Sequence, residues 1–209
     1  MLRPTKSTEC GAYTGRLTLG LDASIKPSGK IIAIEPNPEA FRLLLLNLRL
    51  NNAARCCIPL NIAVSDELGS VRLFISKWPA IHSIVYETKK SVEVQAKSLD
   101  EITEELDLHQ IDWLVMDVEG AEVKILKGAT KLLTSRLVTH IVIEAHNSGL
   151  LNERLRILRR SGYECLVSAR TPSYIIARKS NEKRLTSFSG YTPLKMAIEQ
   201  KSSHNIEGG

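Results

Sequence analysis

A chain of 209 residues with 43% hydrophobic content is long enough for one domain with a sizeable core, and it carries no apolar run near the ~18 residues a membrane-spanning helix needs. Its net charge of +5 is mildly basic, and much of it falls on Arg154, Arg156, Arg159 and Arg160; with Leu151, Leu155 and Leu158 at helical spacing, these read as a solvated outer helix face, not a nucleic-acid patch. Cys10, Cys56, Cys57 and Cys165 show neither metal-ligand spacing nor a Cys-x-x-Cys pair, and the N-terminus lacks a signal-peptide core, so small buried cysteines in a reducing, cytoplasmic setting are expected.

Along the chain, the first segment that should be a strand, Arg3-Pro4-Thr5-Lys6-Ser7-Thr8, is polar and holds a proline, so a degenerate or truncated strand is expected there. Glu9-Cys10-Gly11-Ala12-Tyr13-Thr14-Gly15 reads as a glycine turn into a helix. Gly11 and Gly15 would let backbone N–H groups approach an anionic group. Ile31 to Ile34 is an unbroken apolar run, the pattern of a parallel strand buried on both faces, and it stops at Glu35. Glu35 follows Gly15 by about 20 residues, the interval at which a carboxylate accepts both hydroxyls of a ribose. A bare Gly-x-x-x-Gly carries little information; joined to this strand and its acid, it describes a nucleotide-cofactor pocket.

Asn37 as N-cap and Pro38 in the first turn predict a helix to about Leu50, with Phe41, Leu44, Leu45 and Leu48 on its core face. A strand around Cys56 to Leu60 leads to Asn61. Val71 to Ile75 and Ser91 to Ala96 read as a hairpin or edge insertion. The loop between them, through Trp78-Pro79, His82, Ser83 and Tyr86, reads equally as a cover over a cofactor or as a surface excursion. Ile111 to Met116 should be the fourth core strand, ending at Asp117, and Gly120 opens a helix with Ile125, Leu126, Ala129, Leu132 and Leu133 on one face. Glu122 suits that helix's dipole; Asp100 and Asp112 read as turn or cap residues. Val138 to Glu144 is a fifth strand, Asn152 to Arg160 a helix, and Tyr163 to Ser168 with Tyr174 to Arg178 a final antiparallel pair. This describes an α/β fold: a doubly wound, mostly parallel Rossmann-like sheet of about seven strands with a C-terminal antiparallel pair and helices on both faces. The domain should occupy residues 1–179, and residues 180–209 should form a polar, mobile tail.

The pieces ECGAYTG, IIAIEPNPEAF, NIAVSDELG, KSLDEI, IDWLVMDVEGAEVKILKGA, IVIEAH and YIIARK together resemble the FkbM-type S-adenosylmethionine-dependent methyltransferases, from about Glu9 to Lys179. IEPNP and DVEGAE are the specific segments. The resemblance implies a class I methyltransferase domain that moves the methyl of S-adenosylmethionine to a hydroxyl of a sugar, glycan or secondary metabolite. It implies that Glu9, Gly11, Ala12, Tyr13 and Gly15 surround the methionine end of the cofactor, that Glu35 takes the ribose, and that Pro36, Asn37, Asn61 and Ala63 border the adenine. Asp117 and Glu119 would sit beside the sulfonium and the acceptor. Where relatives often place a lysine before Met116-Asp117, this chain has Val115.

Carboxylates gathered at strand ends suit a cofactor with a sulfonium, an amino group and a ribose diol, and suit a bare phosphate poorly. An aliphatic hydroxyl needs a base within hydrogen-bond reach, and Asp117, Glu119 and His146 are the candidates. Asp117, Glu119 and Glu144 could supply oxygens to Mg²⁺, but nothing in their spacing demands a metal, and none is assigned. The expected partner is a small-molecule or glycan acceptor, with no nucleic acid and no membrane span. Two other readings compete: a truncated or inactive methyltransferase-fold binding domain, and a nicotinamide-dependent oxidoreductase, which the absence of Gly-x-Gly-x-x-Gly disfavours.

Overall fold

Ile31, Ile32, Ala33 and Ile34 have no polar side chain to turn toward water, and all four are buried in an interior strand of a seven-stranded sheet. In the computed structural model, which describes residues 5–23, 29–77, 82–145, 148–168 and 173–180, that run forms β2 (Lys30–Ile34). The other strands of the sheet are β1 (Lys6–Cys10), β3 (Cys57–Leu60), β8 (Ile111–Met116), β9 (Val138–Ala145), β10 (Tyr163–Val167) and β11 (Ser173–Lys179). Their spatial order is β10-β11-β9-β8-β1-β2-β3, parallel except where β11 runs antiparallel to both β9 and β10. The insertion expected around residues 71–96 forms a separate four-stranded sheet in the order β4-β7-β5-β6, from β4 (Ala63–Val64), β5 (Gly69–Ile75), β6 (His82–Ser83) and β7 (Lys90–Lys97).

Helices cover both faces of the main sheet because strands such as β2 bury apolar side chains on both sides. On one face α1 (Arg16–Asp22) and α2 (Pro38–Leu50) pack Leu21, Leu44 and Leu48 against Ile31 and Ala33. Asn37 caps α2 as its sequence predicts, its Oδ1 accepting the Glu39 N–H at 2.9 Å. On the other face α3 (Leu99–Glu105), α4 (Glu122–Lys127), α5 (Thr130–Thr134) and α6 (Leu151–Arg160) pack Ile102, Ile125, Leu126, Leu132, Leu133 and Leu158 onto Ile32, Ile34, Leu114 and Met116.

Three expectations need correction. Within the polar N-terminal segment, Lys6–Cys10 is an interior strand of the main sheet, in parallel register with β2 from Lys6↔Lys30 to Cys10↔Ile34 and with β8 from Ser7↔Trp113 to Cys10↔Met116, while Arg3 and Pro4 lie outside the described residues. Ladder bonds on both edges, with the Lys6 N–H donating to Asp112 Oδ2 at 2.7 Å, hold the strand in place of apolar side chains. The Ser7 and Thr8 hydroxyls are buried there with no partner, a cost of about 1–3 kcal/mol each. Second, the helix after Gly120 is two helices, broken at Gly128-Ala129. A side chain at Gly128 would come within 2.5 Å of the Ser65 carbonyl oxygen, so the backbone itself packs there, and α5 restarts with the Asp100 carboxylate accepting the N–H groups of Lys131 and Leu132, both at 2.8 Å. Third, Arg154 is not on a solvated face. It is fully buried, its Nη2 donating to Glu122 Oε2 at 2.8 Å, and Glu122 is equally buried. Arg156, Arg159 and Arg160 keep the outer face. Trp78, Pro79, His146 and residues 181–209 lie outside the described residues, the last being most of the expected tail. Among the described residues no helix is long and apolar enough to cross a membrane.

Candidate functional site

β1 has β2 on one side and β8 on the other, so the chain reverses its direction across the sheet at the β1–β8 boundary. In an open α/β sheet, the crevice at such a reversal, beyond the carboxyl ends of the strands, is where ligands bind. The glycine turn is built into that crevice. The Gly11 and Ala12 N–H groups both donate to the Ile34 carbonyl, at 2.9 and 3.0 Å, and the Asp117 N–H donates to the Cys10 carbonyl at 3.0 Å. Gly11 has φ +88, and a Cβ there would lie 1.9 Å from the Asp117 carbonyl oxygen. Only glycine lets the ends of β1, β2 and β8 meet this closely. Gly15 (φ +89) donates its N–H to the Ala12 carbonyl at 2.8 Å, and a Cβ would collide with Leu44 Cδ1 at 2.6 Å.

The Glu35 carboxylate stands at the end of β2, 5% exposed. Its Oε2 accepts the Tyr13 N–H and its Oε1 the Asn37 N–H, both at 2.8 Å. Asn61 Nδ2 donates to the Glu35 and Pro36 carbonyls, at 2.8 and 3.2 Å, tying the end of β3 to the same corner. The carboxyl is pushed up to about 7: burial raises it most, the two N–H bonds offset part of the rise, and the nearby Asp117 charge adds to it. The N–H groups of Gly11, Ala12, Tyr13 and Gly15 are thus all spent inside the protein. This corrects the expected anion-binding role of the two glycines: the turn presents a fixed carboxylate, whose remaining lone pairs suit hydroxyl donors.

The other site residues divide. Glu9 is buried on the α1 side of β1, its Oε2 accepting the Thr18 hydroxyl at 2.5 Å. Nothing in the local spacing of these two signals that pairing. Ala63 is 1% exposed and packs with Leu73, Val94 and Ala96, so its side chain belongs to the second sheet's core, not to the Glu35 corner. Asp117 follows β8 directly, and Glu119 and Gly120, at φ +47 and +97, form the tight turn beyond it. Ser83 reaches that turn, its hydroxyl donating to the Glu119 carbonyl at 2.8 Å. Glu144 lies two strands from β1, near the end of β9 opposite Tyr174, and among the described residues no three His, Cys, Asp or Glu side chains gather as a metal site would require.

Comparison with known proteins bears on this geometry. The methyltransferase FkbM domain model matches residues 9–165. The hexuronic acid methyltransferase AglP of Haloferax volcanii is 27% identical over 154 residues, covering 73% of this chain and 63% of that protein. Methyltransferase sdnD of Sordaria araneosa is 27% identical over 189 residues, covering 75% of this chain and 72% of its own. The crystal structure of an FkbM methyltransferase from Methylobacillus flagellatus superposes with a TM-score of 0.62 at 21% identity, covering 85% of this chain and 45% of that one. Aeropyrum pernix fibrillarin, solved with natively bound S-adenosylmethionine, shares the fold at a TM-score of 0.53 and 16% identity, over 83% of this chain and 66% of its own. The chain therefore spans less than two thirds of AglP and less than half of the Methylobacillus protein. With three quarters of its length under one family model, and the glycine turn, Glu35 and the Asp117 turn all inside that match, this chain belongs to the FkbM methyltransferase domain family.

Proposed function

We propose that this chain binds S-adenosylmethionine and transfers its methyl group to a hydroxyl of a sugar, glycan or secondary metabolite. The observation that carries this reading is the Glu35 carboxylate, held by two backbone N–H groups beside a glycine turn whose own donors are spent. Such a corner accepts a ribose diol, and with Asp117 nearby its negative charge favours a cofactor bearing a cation. A dinucleotide pyrophosphate would meet two carboxylates and find the N–H groups of Gly11, Ala12, Tyr13 and Gly15 already taken, which disfavours the oxidoreductase reading.

When bound, S-adenosylmethionine supplies an activated methyl group for in-line displacement. Glu35 would hold the ribose, Pro36, Asn37 and Asn61 would border the adenine, and the Gly11–Gly15 turn would shape the methionine end. Glu9 would act through Thr18 and α1. Asp117, at the strand end where an acceptor would enter, is the proposed base and takes the hydroxyl proton; Glu119 is the second candidate, and His146 a third. The name of AglP favours a hexuronic acid among the acceptors.

Calorimetry with S-adenosylhomocysteine and NADH tests the cofactor, and binding of the first without the second is the expected result. Tighter NADH binding would overturn the reading. Methyl transfer from labelled S-adenosylmethionine to paired methyl glucoside and methyl glucuronide tests the acceptor. Tight cofactor binding with no transfer across a broad hydroxyl panel would favour a binding domain without turnover.

A further inference from the structure

The second sheet brings an aromatic residue to the turn beyond Asp117. Besides its bond to the Glu119 carbonyl, Ser83 Oγ accepts the N–H groups of Val85 and Tyr86, at 3.0 and 3.2 Å. One hydroxyl thus curls residues 83–86 and pins them to the Asp117–Gly120 segment. The Tyr86 ring then fills the space a Gly120 side chain would need: its Cε2, Cζ and Oη stand 2.6, 2.8 and 2.8 Å from where a Cβ would lie. Ser83 is 4% exposed, whereas Tyr86 is 42% exposed. A side chain placed only to plug the space over Gly120 would be buried. This one sets Cε2, Cζ and Oη against the turn beyond β8 and still keeps 42% of its surface exposed.

We propose that Tyr86 is the platform on which the acceptor sugar stacks, held in place by Ser83 and by the missing side chain of Gly120. The proposal rests on the methyl-transfer reading above and assigns the acceptor's side of the site. A pyranose ring has an apolar face of C–H groups that packs on the electron-rich face of an aromatic ring. The ring lies against Gly120, in the turn beyond Asp117, which is the side of the site where the acceptor is proposed to enter. A ring already pinned on one side loses little freedom on binding, which favours affinity for a small, flexible ligand.

Saturation-transfer NMR with methyl β-D-glucuronide and methyl β-D-glucoside, with and without S-adenosylhomocysteine, tests this on the wild type, Tyr86→Ala and Tyr86→Phe. The wild type should transfer saturation to the sugar ring protons. Tyr86→Ala should weaken binding about tenfold, and Tyr86→Phe should retain it, since the aromatic face makes the contact. S-adenosylhomocysteine affinity should stay within about twofold in all three, which also reports that the variants fold. An undiminished sugar signal in Tyr86→Ala, or no signal from the wild type, would overturn the proposal. So would an alanine variant that loses S-adenosylhomocysteine and keeps the sugar, because Tyr86 would then line the cofactor pocket. A wild type that takes no S-adenosylhomocysteine would defeat the methyl-transfer reading, and Tyr86-dependent sugar binding would still leave the platform standing.

Discussion

Glu35 gives the sharpest quantitative expectation. Its carboxyl titrates at about 7, mainly because it is buried, against an ordinary value of 4.5. A pKa raised on folding favours the protonated native state, so this group's stabilising contribution is complete below pH 4.5 and is lost as pH rises through about 7. That loss amounts to roughly 3 kcal/mol for the ligand-free protein. A ribose diol donates to the ionised carboxylate, so binding runs the other way. At pH 6 only about a tenth of Glu35 is ionised, and S-adenosylhomocysteine should bind about tenfold more weakly than at pH 8. Glu35→Ala should cost at least about tenfold at pH 8, from charge-assisted bonds worth roughly 1.5–3 kcal/mol, and should flatten the pH profile. Calorimetric titrations at both pH values on both proteins check this. Equal affinities at pH 6 and 8 in the wild type, or the same slope in Glu35→Ala, would remove Glu35 from the ligand.

Arg154→Ala should lower stability by about 3–5 kcal/mol in urea unfolding, because it leaves the fully buried Glu122 without its ion-pair partner, whereas Glu122→Leu combined with Arg154→Met should recover most of the loss. A single variant losing under about 1 kcal/mol would mean that water reaches the pair. Thr8→Val should raise stability by about 1 kcal/mol by deleting a buried, unpartnered hydroxyl at nearly constant shape, read as a Tm increase of about 2–4 °C. Asp117→Asn should keep S-adenosylhomocysteine affinity within a few-fold and slow single-turnover methyl transfer by about 10²-fold; an unimpaired rate would pass the role of base to Glu119 or His146.

The strands with unbroken apolar runs, and the helices whose leucines recur every three or four residues, were legible because burial there is written in side-chain polarity. β1 was not. Its place depends on two neighbours that exist only in the folded sheet, and the pairing of backbone groups leaves no mark on whether the side chain is Ser, Thr or Val. The Arg154–Glu122 pair escaped for a related reason: four arginines on one amphipathic helix look alike, and only the position of α4, 32 residues earlier in the chain, singles out the one that turns inward. The place of Glu35 at the end of β2, after the glycine turn, was legible because strand, acid and glycine interval are all local. The Tyr86 contact needed the second sheet to bring residues 83–86 over Gly120, and the sequence left that loop divided between two readings.

The glycine turn shows how a motif can be legible in position and misread in mechanism. Gly11 and Gly15 resemble an anion cradle because glycine leaves backbone N–H groups accessible. Here the same freedom is used for close approach: Gly11 admits the Asp117 carbonyl where a Cβ would stand, and both N–H groups turn inward. The donor that reaches the Glu35 corner is that of Tyr13, at φ +49, and it serves to fix a carboxylate. The charge presented by the turn is therefore reversed relative to a phosphate loop. A pocket of this sign costs the empty protein stability near neutral pH, through the raised Glu35, and a ligand that brings hydroxyl donors and a positive charge offsets that cost. On the methyl-transfer reading, selectivity for a nucleoside sulfonium over a dinucleotide would rest on where four N–H groups point, a property that the spacing of two glycines does not encode.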